Sequence, residues 1–150
     1  CYGIGVGRAM ASVIEQCHDQ YGPVWPINIA PYEVHIVALN YNKPPVREAA
    51  DRLYAALVEA GHEVLLDDRN KKAGFAFSDS DLIGAPFRVV VSPRNLKEGV
   101  AELKSRDKTL EETVSLDDRF DHRDRELRDQ PAAFTLSRKG PGGLSILSRS

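Results

Sequence analysis

The chain has 150 residues, 42% of them hydrophobic, which is material for about one domain of ordinary size plus an appendage. Twenty lysines and arginines stand against 22 aspartates and glutamates, a formal charge of −2, so no global field draws the protein to nucleic acid or membrane and any RNA contact must use a local patch. No apolar run approaches the roughly 18 residues of a membrane span, the start lacks the charged-then-apolar profile of a secretion signal, and Cys1 and Cys17 form no C-x-x-C pair of the kind that holds zinc.

In chain order, "CYGIGVGR" alternates glycine with Ile4 and Val6 and reads as a strand. A helix follows, in which Met10, Val13, Ile14 and Cys17 recur at helical spacing. "YGPVWPINIAPYE" carries three prolines in nine positions, which neither a helix nor an inner strand accepts, so 25–32 is a linker. From 33 the pattern alternates. Residues 34–39 form a short apolar strand suited to burial on both faces. After the "NYNKPP" turn, Val46, Ala49, Ala50, Leu53, Tyr54, Leu57 and Ala60 make one stripe of a helix that stops at Gly61. "HEVLLDD" is a second strand, 76–83 a helix ended by Gly84 and Pro86, and "FRVVVS" a third strand. "PRNLKEG" reads as a turn, and "VAELKSR" as a half-exposed strand with Val100 and Leu103 inward. Beyond about 117, "RFDHRDRELRDQ" and "KGPGGLSILSRS" lack a clear period and are left as an unassigned tail, 117–150. The expected fold is α/β: a mostly parallel, mixed sheet of about five strands covered by helices.

These residues carry a resemblance. "GIGVGR" with its alanine-rich helix resembles motif 3 of class II aminoacyl-tRNA synthetases, and "VWPINIAPYEVHIVALN" resembles the linker and first strand of the anticodon-binding domain that follows it. The run "GHEVLLDDRNKKAGFAFSDSDLIGAPFRVVVSPRNLKEGVAELKSRD" is similar to the bacterial-type prolyl-tRNA synthetases in particular. The resemblance spans about 1–116 and implies that 1–24 end a catalytic domain and that 33–116 are an anticodon-binding domain. It implies that Gly3 and Gly5 let ATP lie close to the backbone, and that Arg8 stacks on the base and pairs with phosphate. Motifs 1 and 2, the proline pocket and the editing insertion are absent from this stretch. The intact enzyme would use ATP and Mg2+ to ligate proline to its tRNA, as a cytoplasmic homodimer. This chain alone would bind neither ATP nor Mg2+ and would hold no catalytic residue beyond the ATP contacts.

The activity the resemblance leaves to this piece is anticodon recognition. Proline anticodons carry two adjacent guanines, whose pairing edge offers two N–H donors beside a carbonyl acceptor, so a carboxylate with a nearby cation is the complement. "LLDDRNKK" supplies both at the end of the second strand, where ligands sit in open α/β sheets. Asp67 and Asp68 are the candidate acceptors, Arg69 a donor to base or phosphate, Lys71 and Lys72 backbone contacts, and Phe75 a stacking ring, with Phe77 in the core. The plain alternative is a solvated polar turn. Asp81 either solvates its helix or reads a base, and Arg88, Arg94 and Lys97 either extend a basic face or are surface charge. His18, His35, His62 and His122 form no metal or triad spacing with the acidic residues or cysteines. Other readings are the anticodon module of a threonyl, histidyl or glycyl enzyme, a free-standing paralogue, or a non-RNA α/β binding or dimerisation module.

Overall fold

The computed structural model describes residues 2–116. Helix α1, Val6–Gln16, leads into a small antiparallel hairpin of β1, His18–Asp19, and β2, Gly22–Pro23, and then a single 3₁₀ turn at Ile27–Ile29. The α/β body follows as β3 (Val34–Ala38), α2 (Pro44–Glu59), β4 (Val64–Asp67), α3 (Ala73–Ile83), β5 (Phe87–Val91), α4 (Pro93–Lys97), β6 (Val100–Ser105) and β7 (Glu111–Ser115). The five main strands lie in the order β4-β3-β5-β6-β7. The first three are parallel and the last two antiparallel additions, so the expected mixed sheet is present.

All five residues of β3 are buried, as a central strand covered on both faces requires. Alternation sends Val34, Ile36 and Ala38 to one face, where Val46, Ala50, Leu53 and Leu57 of α2 meet them with Val89 and Val91 of β5. Pro44 and Pro45 open α2 at positions whose missing N–H would have had no helical partner. His35 points to the other face and meets Ser80 of α3, Nδ1 to Oγ 3.0 Å. Below the start of β3, His62 Nδ1 lies 2.6 Å from Glu33 Oε2.

Several elements differ from expectation. The glycine-rich start is not a strand: the first helical turn of α1 already closes from Ala9 N–H to Gly5 O, and no α1 residue is buried. No described strand lies beside 2–5 to pair with it, and an extended segment without a ladder leaves its polar groups to water. "PRNLK" is a short helix, because Ser92 accepts a hydrogen bond from Asn95 N–H at 3.2 Å and Pro93 fits the first turn. In β6 the inward pair is Ala101 and Leu103. Val100 and Leu103, three apart, cannot share a strand face. The fifth strand, β7, is a polar edge that the sequence pattern does not announce. The tail 117–150, with His122, lies outside the described residues.

A seam joins the hairpin and linker to the lower end of α3. Trp25 Nε1 donates to Ile83 O at 3.0 Å, and Trp25 N–H to Gly84 O. Gly84 ends α3 in the left-handed region, φ 72°, where a Cβ would overlap the Pro23 carbonyl.

Candidate nucleic-acid interface

Because β3, β4 and β5 are parallel, the segments that leave them open at one end of the sheet. These are the turn after β3 with Tyr41 and Lys43, the 68–72 loop after β4, and α4 after β5 with exposed Arg94 and Lys97. Asp68, Arg69, Asn70, Lys71 and Lys72 are all exposed, and Asn70 turns the loop with φ 53°. Lys72 precedes the first residue of α3 without a side-chain capping bond, and Phe75 in the first turn is 68% exposed. An uncovered ring beside two lysines and a carboxylate is a surface that can stack and position a base.

Asp67 is different. It is the last residue of β4, its side chain only 7% exposed, and both of its oxygens are taken by Arg69. Arg69 donates from Nε and Nη2 to them at 2.8 Å each, and Arg69 N–H adds a third bond at 3.2 Å. The guanidinium beside it holds the Asp67 carboxyl below the usual carboxylate range. Of the two expected acceptors, Asp68 is thus the one open to a ligand. Arg69 also donates from Nη2 to Asp79 of α3 at 2.7 Å while its side chain stays 47% exposed, and the two carboxylates raise its pKa. Asp79 went unmarked in sequence. It lies ten residues from Arg69, across a loop and most of a helix, at a spacing no local pattern reports.

Asp81, Arg88 and Phe77 belong elsewhere. Arg88, in the first half of β5, donates to Asp81 at 3.0 Å and lies 5.1 Å over the half-buried Phe77 ring. Arg88 therefore does not extend the basic face, and Asp81 is engaged by an arginine. Gly3, Gly5 and Arg8 are exposed at the other end of the chain, and a Cβ at Gly3 would touch nothing. No group of three or more His, Cys, Asp and Glu among the described residues could hold a metal ion, and none of their helices is long and apolar enough to cross a membrane.

Beneath the loop, burial lowers the pKa of His35, with smaller opposing effects of Asp67, which raises it, and Arg88, which lowers it. A histidine kept neutral in the fold binds fewer protons than in the unfolded chain once pH drops below its ordinary value of about 6.5, so acid favours unfolding there. Stability should fall between pH 6.5 and 5 by at most about 1.4 kcal/mol per pH unit through this residue. Urea titrations at several pH values check this. The loss should be flatter in His35→Gln, and an equal slope in both proteins would remove His35 as the cause.

The family described as anticodon binding domain matches residues 33–122. A proline-tRNA ligase of Dehalococcoides mccartyi strain CBDB1 is 51% identical over 117 residues, covering 78% of this chain and 21% of the relative. One of Syntrophus aciditrophicus is 50% identical over 117 residues, 78% of this chain and 20% of the relative. The chain thus spans about a fifth of the length of the curated relatives it matches. Among solved structures, the fold is similar to prolyl-tRNA synthetase from Cryptosporidium parvum complexed with L-proline and AMP, with a TM-score of 0.71 and 22% identity over 80% of this chain and 26% of that one. With its mixed sheet, its open loop at the parallel strand ends and a match that takes in the whole α/β body, the chain belongs to the anticodon binding domain family.

Proposed function

We propose that this chain is the C-terminal part of a proline-tRNA ligase, and that its α/β body holds the anticodon loop of proline tRNA. The observation that carries this reading is the open 68–72 loop at the parallel strand ends, in a chain about half identical to proline-tRNA ligases over 117 residues. Asp68 accepts from the N1–H and N2–H donors of an unpaired guanine, Arg69 donates to its carbonyl edge, and Phe75 stacks on a base. Lys71 and Lys72 hold the backbone. Asp67, with both oxygens on Arg69, serves the arginine and not the base.

For the parent enzyme the proposal is ligation of proline to tRNA with ATP, in the cytoplasm, as a homodimer. Gly3, Gly5 and Arg8 would supply one wall of the ATP site: glycines leave room for the nucleotide, and an exposed guanidinium can lie on its base or meet its phosphates. Magnesium, which accompanies ATP in the class, would arrive with the nucleotide of the intact enzyme.

Filter binding with transcribed proline, threonine and histidine tRNAs tests the assignment. The full chain should retain proline tRNA over the other two. Preference for another tRNA would move the assignment to a different specificity, and retention of none would remove the RNA role.

A further inference from the structure

We infer that Asp79 is a positioning residue that, together with Asp67, fixes Arg69 as a reader of base edges and keeps it from acting as a phosphate contact. This rests on the anticodon reading above and says how its arginine discriminates. A guanidinium has five N–H donors. Asp67 takes Nε–H and one Nη2 hydrogen, and Asp79 takes another from Nη2, so the fork of Arg69 is held from β4 on one side and α3 on the other. Nη1 has no partner among the described residues, and the side chain is 47% exposed. What remains for a ligand is therefore a pair of hydrogens on a nitrogen whose place is set in advance, together with the face of the planar group.

The charge balance points the same way. Two carboxylates against one guanidinium leave this cluster net negative. A phosphate approaching Arg69 meets the two carboxylates already on it, whereas a neutral base edge meets an oriented donor without that repulsion. Lys71 and Lys72, exposed and with no carboxylate in salt-bridge range among the described residues, are left to neutralise phosphates. Specifying and positioning are thus divided between neighbours in one loop.

The test is binding of the full chain to a proline anticodon stem-loop, measured by fluorescence anisotropy over a range of KCl concentrations. Asp79→Ala should weaken binding about tenfold, within the range expected of a base-reading pair, without flattening the salt slope. Asp79→Glu should recover most of the loss, and the isosteric Asp79→Asn, which preserves shape if alanine disturbs the helix, should weaken binding in the same direction. In an Arg69→Ala background, Asp79→Ala should cost nothing further. Lys71→Ala or Lys72→Ala should instead flatten the salt slope by about 0.7 for each phosphate no longer neutralised. The inference is overturned if Asp79→Ala tightens binding, if it costs as much without Arg69, or if Arg69→Ala flattens the slope as a lysine would. Should Arg69→Ala leave affinity untouched, the placing of the anticodon site falls and this inference with it. Should Arg69→Ala weaken binding while Asp79→Ala does not, the site stands and only the positioning role is lost.

Discussion

Replacing Arg106 with alanine should destabilise the fold by about 2 kcal/mol, between an exposed ion pair and a fully buried one, since the side chain of its partner Asp19 is 30% exposed. Arg106 follows β6, and its side chain is 6% exposed. It donates from Nη1 and Nη2 to the two oxygens of Asp19 at 2.7 Å each, with longer bonds from Nη2 to the carbonyls of Gly22 and Asp81 at 3.4 Å. One guanidinium thus ties the β1–β2 hairpin, the end of α3 and the end of β6 together. Alanine would leave a gap in that seam and strip Asp19 of its charge partner, although Asp19 would still accept from the N–H groups of Tyr21 and Gly22. The hydrogen bonds from Arg106 are the largest influence on Asp19 and hold its carboxyl far below the usual range. The stability gained from that depression is present above the unfolded carboxylate value of about 3.9 and is lost as pH falls toward the folded one. The cost of Arg106→Ala should therefore shrink in acid. Urea unfolding followed by Trp25, the chain's one tryptophan and a member of the same seam, gives the readout. Asp19→Ala combined with Arg106→Ala should cost less than the sum of the two, and strict additivity would show that the pair does not act as a unit.

The elements that could be read from sequence are those whose neighbours are of one kind. Of the expected stripe, Val46, Ala50, Leu53 and Leu57 face a single apolar sheet surface with Ala49 half-buried beside them, whereas Tyr54 and Ala60 at its edges are exposed, so the spacing reports the centre of the packing and not its rim. β3 and β5 are apolar because the middle of a parallel sheet is covered on both sides. The misreadings arise where local pattern and partner disagree. The opening glycine and apolar alternation fits a strand, but no described strand is there to receive it, and the backbone closes a helix instead. "EETVS" is too polar to announce itself, and becomes β7 only because β6 offers it an antiparallel edge. Ser92 and Pro93 carried a helix start signal that the following Gly99 obscured.

The candidate site follows the same rule. That "DDRNKK" would sit at a ligand-accessible strand end followed from the βαβ order alone. Which aspartate faces inward did not, although the alternation of β4 separates them: Asp67 ends the strand facing protein, and Asp68 is the first residue outside it. The clamp from Asp79 exists only once α3 has folded back beside the loop, so no reading of spacing could have reached it.

The largest effect expected on binding comes from the RNA. Where guanine presents N1–H and N2–H to Asp68, adenine presents an unprotonated N1 and no 2-amino group, so the carboxylate would lose its donors and face a lone pair. A buried or half-covered acceptor left without its donor discriminates more strongly than a missing apolar contact. Of the two adjacent guanines the open carboxylate reads one, and changing both to adenine should weaken binding about 100-fold through that one, the upper part of the range for a single base, since Arg69 loses its carbonyl acceptor at the same edge. Asp68→Asn should lose most of that discrimination, because a carboxamide can turn its N–H₂ toward the adenine acceptor.

The most direct measurement is a side-by-side titration of the full chain with two anticodon stem-loops, identical except that one carries the two guanines of a proline anticodon and the other carries adenines. Tight binding of the first is expected, with about 100-fold weaker binding of the second and a gap that narrows in Asp68→Asn. Equal affinity for the two loops in the unaltered chain would contradict anticodon reading by this loop.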